Sequence, residues 1–517
     1  MKSFRNLQLL ILLMLIGVSC RPPKADTPSD TSATPNVVVI YMDDLGYGDV
    51  SSYGATSLNT PNMDKLINGG VKFTSGYASS ATCTPSRYAL LTGQYPWRRE
   101  SARILPGTAP LIIDTAQQTM PKMFQEAGYH TGIVGKWHLG LGRGNTNWNE
   151  HIDPSPNEVG FDYSYILAAT QDRVPTVYIE NGDVVGLDPE DPIEVSYKEN
   201  FEGEPTGKDN PELITMKWHH GHNQSIVNGI PRIGFMKGGE AAKWSDIDMA
   251  DHFLEKAKEY LLAHQDEPFF LYYALQQPHV PRTPHPRFEG KSGMGPRGDV
   301  IVEADWVIGE FMKQLDSLGL TENTIVVFSS DNGPVLNDGY YDDAVEKIGD
   351  HDPKGGLRGG KYSLFQAGTR VPFSVYWKGM IKPTVSDAIV CQMDLMASFA
   401  TLIDAKIAPT DSQDLLEAFK GETQTGREEL VLEAGSRTAL RKGDWMLIPP
   451  YSGKALNEKV NIELGNSKTP LLYNLAEDLG EQNDLAEANP EKLKELMDRF
   501  REIRQDYKSS VQELELK

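Results

Sequence analysis

The sequence predicts an α/β fold: a large, mostly parallel sheet sandwiched by helices, followed by a smaller C-terminal α+β domain of antiparallel sheet plus helix. Three observations lead there. Unbroken apolar, β-branched and aromatic runs end abruptly in polar residues, as strands covered on both faces do. Amphipathic stretches of helical period lie between them. Near Asp411 the composition turns polar, and shorter alternating runs follow.

Taken in order, Lys2 and Arg5 precede an apolar run from Leu9 to Val18 that is too short to span a bilayer. Residues 1–20 therefore read as an export signal, and Cys20 after the small Ser19 suggests a lipoprotein cleaved and lipidated at that thiol. The segment 21–35, rich in Pro, Ser, Thr and Asp, reads as a flexible tether. The main domain is expected over 36–415. "NVVVIYMDD" is its first buried strand, and it ends in Asp43 and Asp44. "PFFLYYALQQPH" is a second, leading into a loop with His279. "TIVVFSSDNG" is a third, ending in Asp331 and Asn332. Asp248–His264 and Val302–Leu318 are the amphipathic helices between them. In such sheets ligands gather at the C-terminal strand ends, where these polar residues fall. Over 416–517, "LVLEAGSRTALRKGDWMLI" and "TPLLYNLAEDLGEQNDLA" give short strands and Pro490–Tyr507 gives a charge-laced helix.

The 517 residues carry 50 Lys and Arg against 72 Asp and Glu, a formal charge of −22. That field repels nucleic acid and anionic membranes, so no nucleic-acid partner is expected and membrane contact only through the lipid anchor. Apart from Cys20 there are two cysteines, which excludes a disulfide-stapled scaffold. Cys391 lies in the apolar run "DAIVCQMDLMASFATLI", which reads as a helix holding an inert thiol. Cys83, in "ATCTPSRYALLTGQ", needs a different account.

Asp43, Asp44, Asp331 and Asn332 are hard oxygen donors at strand ends, suited to Ca²⁺ or Mg²⁺ rather than zinc. A second group is cationic: Arg87, Lys136 and His138 in "GKWHLG", His279, and Lys361 in "LRGGKYS". Together these residues would cradle a charged tetrahedral oxyanion beside a divalent cation, the arrangement that stabilises charge developing in a transition state.

"CTPSRYALLTG" resembles the signature of the formylglycine-dependent type I sulfatases, with Cys83, Pro85, Ser86, Arg87, Leu91, Thr92 and Gly93 in place. "DDLGYGD", "GKWHLG", "SDNGP" and "LLYNLAEDLGEQNDLA" match that family in order and spacing, from Asn36 to the C-terminus. The resemblance implies an alkaline-phosphatase-like fold and conversion of Cys83 to formylglycine by a maturating enzyme that reads Pro85 and Arg87. It implies a hydrated aldehyde with one hydroxyl that attacks sulfur and a second that later expels sulfate. Asp43, Asp44, Asp331 and Asn332, joined by residue 83, would hold one Ca²⁺. Arg87 would orient the diol, and Lys136 and Lys361 would hold sulfate oxygens. His138 would act as base for sulfate release and His279 as acid for the leaving alcohol.

The polar excursion over 161–240 resembles inserts of exported bacterial sulfatases that remove 6-O-sulfate from galactose or N-acetylgalactosamine of host glycans. On that basis Asp172, Arg173 and His220 are candidates for reading sugar hydroxyls, with His219 and His222 as close rivals. The substrate expected is a sulfated oligosaccharide, attacked from its end. The expected location is the periplasm or the outer membrane of a Gram-negative bacterium. Alternatives are another sulfated position or an algal glycan, a phosphomonoester or phosphonate hydrolase on the same fold, and a glycan-binding lipoprotein with a dead site.

Overall fold

The computed structural model describes residues 34–508, so the expected export signal, Cys20 and nearly all of the tether lie outside the described residues. A sheet of ten strands organises the rest. In chain order these are β1 (Asn36–Met42), β2 (Val71–Phe73), β3 (His130–Lys136), β4 (Tyr163–Leu167), β5 (Tyr178–Glu180), β6 (Asp183–Val184), β7 (Phe269–Ala274), β8 (Thr324–Ser330), β9 (Phe373–Trp377) and β10 (Thr384–Ser386). Across the sheet they run β10-β2-β9-β8-β1-β7-β3-β4-β5-β6. The five from β8 to β4 are parallel, and β1 lies among them between β7 and β8.

Every residue of β1, β7 and β8 is buried, as their continuous apolar sequences require. Strand alternation divides β1 cleanly: Val37, Val39 and Tyr41 enter one core layer, with Met120, Phe124 and Phe399. Val38, Ile40 and Met42 enter the other, against Phe253, Ala257, Ile308 and Phe311 of the two amphipathic helices. Those helices span Met249–Ala263 and Gly295–Ser317. The second begins seven residues before the expected Val302. Pro296 sits in its first turn, where a missing N–H costs nothing, and Asp299 accepts hydrogen bonds from the backbone of Gly290 and Ser292.

Outside the five strands from β8 to β4 the pairing is antiparallel, except that the edge strand β10 runs parallel to β2. The link 168–177 between β4 and β5 is too short for a crossover helix, so the chain doubles back. From β5 to β6 it reverses through Asn181-Gly182, both at positive φ, as a two-residue hairpin turn demands. Cys391 ends a short strand, Val390–Cys391, and the helix starts at Leu395. The reason is local: the Cys391 N–H donates to the Asp394 carboxylate, which the buried Arg427 also grips, and this fixes a turn ahead of the helix.

The C-terminal region forms a four-stranded antiparallel sheet (Glu429–Ala434, Arg437–Lys442, Trp445–Ile448 and Leu471–Asn474) packed on the helix Pro490–Ile503. Its first strand bonds to the segment leading into the Cys83 helix, with Ala81 N donating to Glu433 O and Glu433 N to Ser79 O. Among the described residues, no helix is long and apolar enough to cross a membrane.

Candidate active site

Strand register builds the floor of the site. β1 and β8 pair in parallel with Met42 opposite Ser330, so the next residues, Asp43 and Asp331, leave the sheet side by side. Asp331 N donates to Met42 O, and Asp44 N to the Asp331 carboxylate at 3.2 Å. Asp44 adopts φ +66°, a conformation that aspartate tolerates better than most side chains, and its carboxylate accepts from Asn332 Nδ2 at 2.7 Å. One carboxylate oxygen from each of Asp43, Asp44 and Asp331 lies within 4.8 Å of the others, all fully buried.

Such a cluster repels itself. Burial and then the Asp331 charge push the Asp43 carboxyl well above the usual range. Asp43 Oδ1 and Asn332 Oδ1 are buried without a hydrogen-bond partner. Crowded hard oxygen donors and two orphaned acceptors fit a divalent cation of the Ca²⁺ or Mg²⁺ type.

Cys83 begins the helix Cys83–Thr92, which Gly93 closes at φ +65° by donating its N–H to Ala89 O. Arg87 falls one turn after Cys83, on the same side of the helix. Its Nε and Nη2 both bind Asp331 Oδ2, at 3.0 and 2.8 Å, and Nη1 donates to Tyr272 Oη. Burial pushes the Cys83 thiol up to about 11 despite Lys136 nearby. At pH 7 only about one thiol in ten thousand would be ionised, so the unmodified side chain is a poor nucleophile here.

Two buried ammonium groups face the carboxylates. Lys136, at the end of β3, reaches Asp43 at 2.6 Å. Lys361 bridges Asp44 at 2.8 Å and Asp338 at 2.9 Å. The histidines differ in which nitrogen is committed. His138 Nε2 lies 3.0 Å from Leu105 O; a carbonyl only accepts, so Nε2 carries the proton and the partnerless Nδ1 keeps its lone pair. In His279 it is Nδ1 that donates, to Val280 O at 2.7 Å, which leaves Nε2 toward Asp44 at 3.9 Å. Burial, reinforced by Lys136 for His138 and by Lys361 for His279, holds both imidazoles well below their usual range.

Asp172 and Arg173 stand on the link after β4. Asp172 is buried and accepts from Arg173 Nη1 at 3.0 Å and from Thr170. Its other partner is His222 Nε2 at 2.7 Å, not His220. Against the upward push of burial, Arg173 and the His222 hydrogen bond hold the Asp172 carboxyl well below the usual range. His220 contacts His219 instead, ring nitrogen to ring nitrogen at 2.7 Å, and burial lowers it to about 4. Asp338 escapes the sequence reading, because an aspartate before glycine looks like a turn residue. Buried, it also accepts from Tyr362 Oη at 3.1 Å.

Comparison with known proteins places this geometry in context. The family model described as Sulfatase matches residues 35–405. An N-acetylgalactosamine-6-O-sulfatase of Bacteroides thetaiotaomicron is 49% identical over 509 residues, covering 98% of this chain and 100% of its own. Human arylsulfatase A is 30% identical, over 89% of this chain and 86% of its own. A solved 6S-sulfatase structure from a glycosaminoglycan-metabolism locus of B. thetaiotaomicron superposes with a TM-score of 0.91 at 51% identity, over 92% of this chain and all of that one.

Proposed function

The chain belongs to the sulfatase family and is a sulfuric ester hydrolase; from that premise we propose that it removes 6-O-sulfate from N-acetylgalactosamine or galactose at the ends of glycan chains. The observation that carries the chemistry is the convergence of Asp43, Asp44, Asp331 and Asn332 with Lys136 and Lys361 around the start of the Cys83 helix. The sugar assignment draws on the 49% identical relative and on the buried Asp172–Arg173–His222 group beside the site.

Residue 83, once converted to formylglycine, supplies a hydrated aldehyde with one hydroxyl for attack on sulfur and a second for sulfate release. Asp43, Asp44, Asp331 and Asn332 would hold Ca²⁺, whose positive charge would polarise sulfate oxygens. The remaining work falls to this chain's side chains. Lys136 and Lys361, shut away from water, bind the sulfate oxygens as charge builds on them. Arg87, locked on Asp331 and Tyr272, fixes the orientation of residue 83 across the helix turn. His138 offers Nδ1 as the base in sulfate release. His279 directs Nε2 at the leaving oxygen and would protonate it as the imidazolium, a form that burial and Lys361 disfavour in the empty site and that the negative charge of a bound sulfate would favour. Asp172, held as an anion by Arg173 and His222, accepts sugar hydroxyls, and the opposed donors fix where they sit.

For the N-terminal stretch the reading is export and lipidation at Cys20, which places the enzyme in the periplasm or on the outer membrane. The central test joins mass spectrometry of the Cys83 peptide, looking for the aldehyde, to sulfate release from sugars that differ only in sulfate position. Release from 4-sulfated but not 6-sulfated sugars would overturn the assignment. An unmodified thiol in the active enzyme would overturn the chemistry.

A further inference from the structure

Next to the sulfate site the surface opens into a cleft of about 560 Å³ that no step above uses. Its size falls in the range of roughly 300–1,000 Å³ typical of small-molecule sites. One wall is the segment 334–354, which continues directly from Asn332. The other is the turn 458–461 of a hairpin in the C-terminal region, between the short strands Leu456–Asn457 and Ile462–Glu463. The first wall is tied to the catalytic floor. Lys361 N donates to Pro334 O, and Asp338, on the same segment, holds the Lys361 ammonium and the Tyr362 hydroxyl. The cleft and the sulfate site therefore share the segment that starts at Pro334.

A two-residue strand pair, Tyr340–Tyr341 with Lys217–Trp218, sets two tyrosines to different tasks. Alternation sends neighbouring side chains to opposite faces. Tyr340 is buried, with its ring 4.6 Å from His222, the partner of Asp172, and its hydroxyl donated to Pro231 O. Tyr341 turns the other way and is 58% exposed, with its ring edge-on to His219 at 4.8 Å, so that of the two tyrosines bordering the cleft it is the one that offers an open face. Strand pairing and the His219 contact hold this flat apolar face in place, so little freedom is lost when something stacks on it. The C–H face of a pyranose is such a partner. Asn337 also lines the cleft.

Resting on the reading of the chain as a sugar 6-O-sulfatase, we propose that this cleft binds the sugar glycosidically linked to the sulfated one, with Tyr341 as its stacking platform. A linked disaccharide is then a better substrate than the free monosaccharide. The test measures kcat and KM for 6-sulfated N-acetylgalactosamine, free and linked to a second sugar, with the wild-type enzyme, Y341A and Y341F. The wild type is expected to favour the disaccharide about tenfold in kcat/KM, the scale of one good aromatic contact. Y341A should erase that advantage through KM and leave monosaccharide turnover unchanged, whereas Y341F should retain it. Equal wild-type turnover of both substrates, or an equal loss on both in Y341A, would overturn the proposal. If neither sugar is desulfated while an aryl sulfate is, the sugar reading itself falls, and the cleft's assignment with it.

Discussion

At the sulfate end of the site, Asp43, Asp44, Asp331 and Asn332 hang from two adjacent strands whose register leaves them no other place. At the proposed sugar end, Asp172, Arg173 and His222 come from a β4–β5 link and from a loop fifty residues further on, held to one another mainly by their own hydrogen bonds. The first end is anchored in the centre of a ten-stranded sheet and the second on its margin. An invariant chemical step sits best on the stiffest framework, and recognition sits best where loops can be exchanged.

The contrast can be broken most forcefully at residue 83. Cys83→Ala should lower kcat at least about 10⁴-fold on every sulfate ester, because the nucleophile is gone. Near wild-type turnover by the folded variant would end the account. Chelation should follow, with activity falling about 10²–10³-fold and returning with Ca²⁺, since the site would lose the charge proposed to polarise the sulfate oxygens. Melting measured in parallel should show a lower Tm for the chelated protein. Asp331→Ala joins both effects. It removes a ligand and leaves Arg87 buried and unpaired, a change that costs about 3–5 kcal/mol of stability, readable by denaturant unfolding.

At the sugar end the effect should depend on the substrate. Asp172→Ala is expected to reduce kcat/KM on a 6-sulfated sugar about 10²-fold or more, because buried donors are left facing the sugar without their acceptor. On a small aryl sulfate the same variant should stay near wild type. Equal losses on both substrates would show that the two ends do not act separately.

The smallest effect sharpens the contrast from behind the site. Glu481 is fully buried and accepts from Gln366 N, while its other oxygen has no partner. Burial raises its carboxyl to about 8. The folded state therefore holds this proton more tightly than the unfolded chain. The resulting stability is complete below the ordinary glutamate range and is lost as pH rises toward and through 8. Glu481→Gln, uncharged throughout, should lose less Tm than the wild type between pH 6 and pH 9. Parallel curves would remove the assignment.

Much of the sulfate end was legible because strands announce themselves and deliver whatever follows. The run "NVVVIYMDD" names both a buried strand and the residues at its end, and "CTPSRYALLTG" carries the signature around residue 83. The sugar end was legible in composition but not in partnership. Three histidines lie within "HHGH", and the turn at Gly221, with φ +69°, decides that His222 reaches Asp172 while His220 meets His219. Asp338 looked like a turn residue until Lys361, 23 positions on, folded against it. The helix at Gly295 starts early for the same reason: its first turn is secured by contacts that no periodicity records.

The sequence by itself determined the strand order's raw material, the signature around residue 83 and the set of charges available to it. These depend on residue type and local spacing, which a linear chain displays in full. Only the tertiary structure decided which carboxylates crowd together, which nitrogen of each histidine stays free, and which of two adjacent tyrosines is left exposed. Those outcomes come from pairings between residues far apart in the chain, and burial sets their energies. Neither exists until the sheet has closed its register and excluded water.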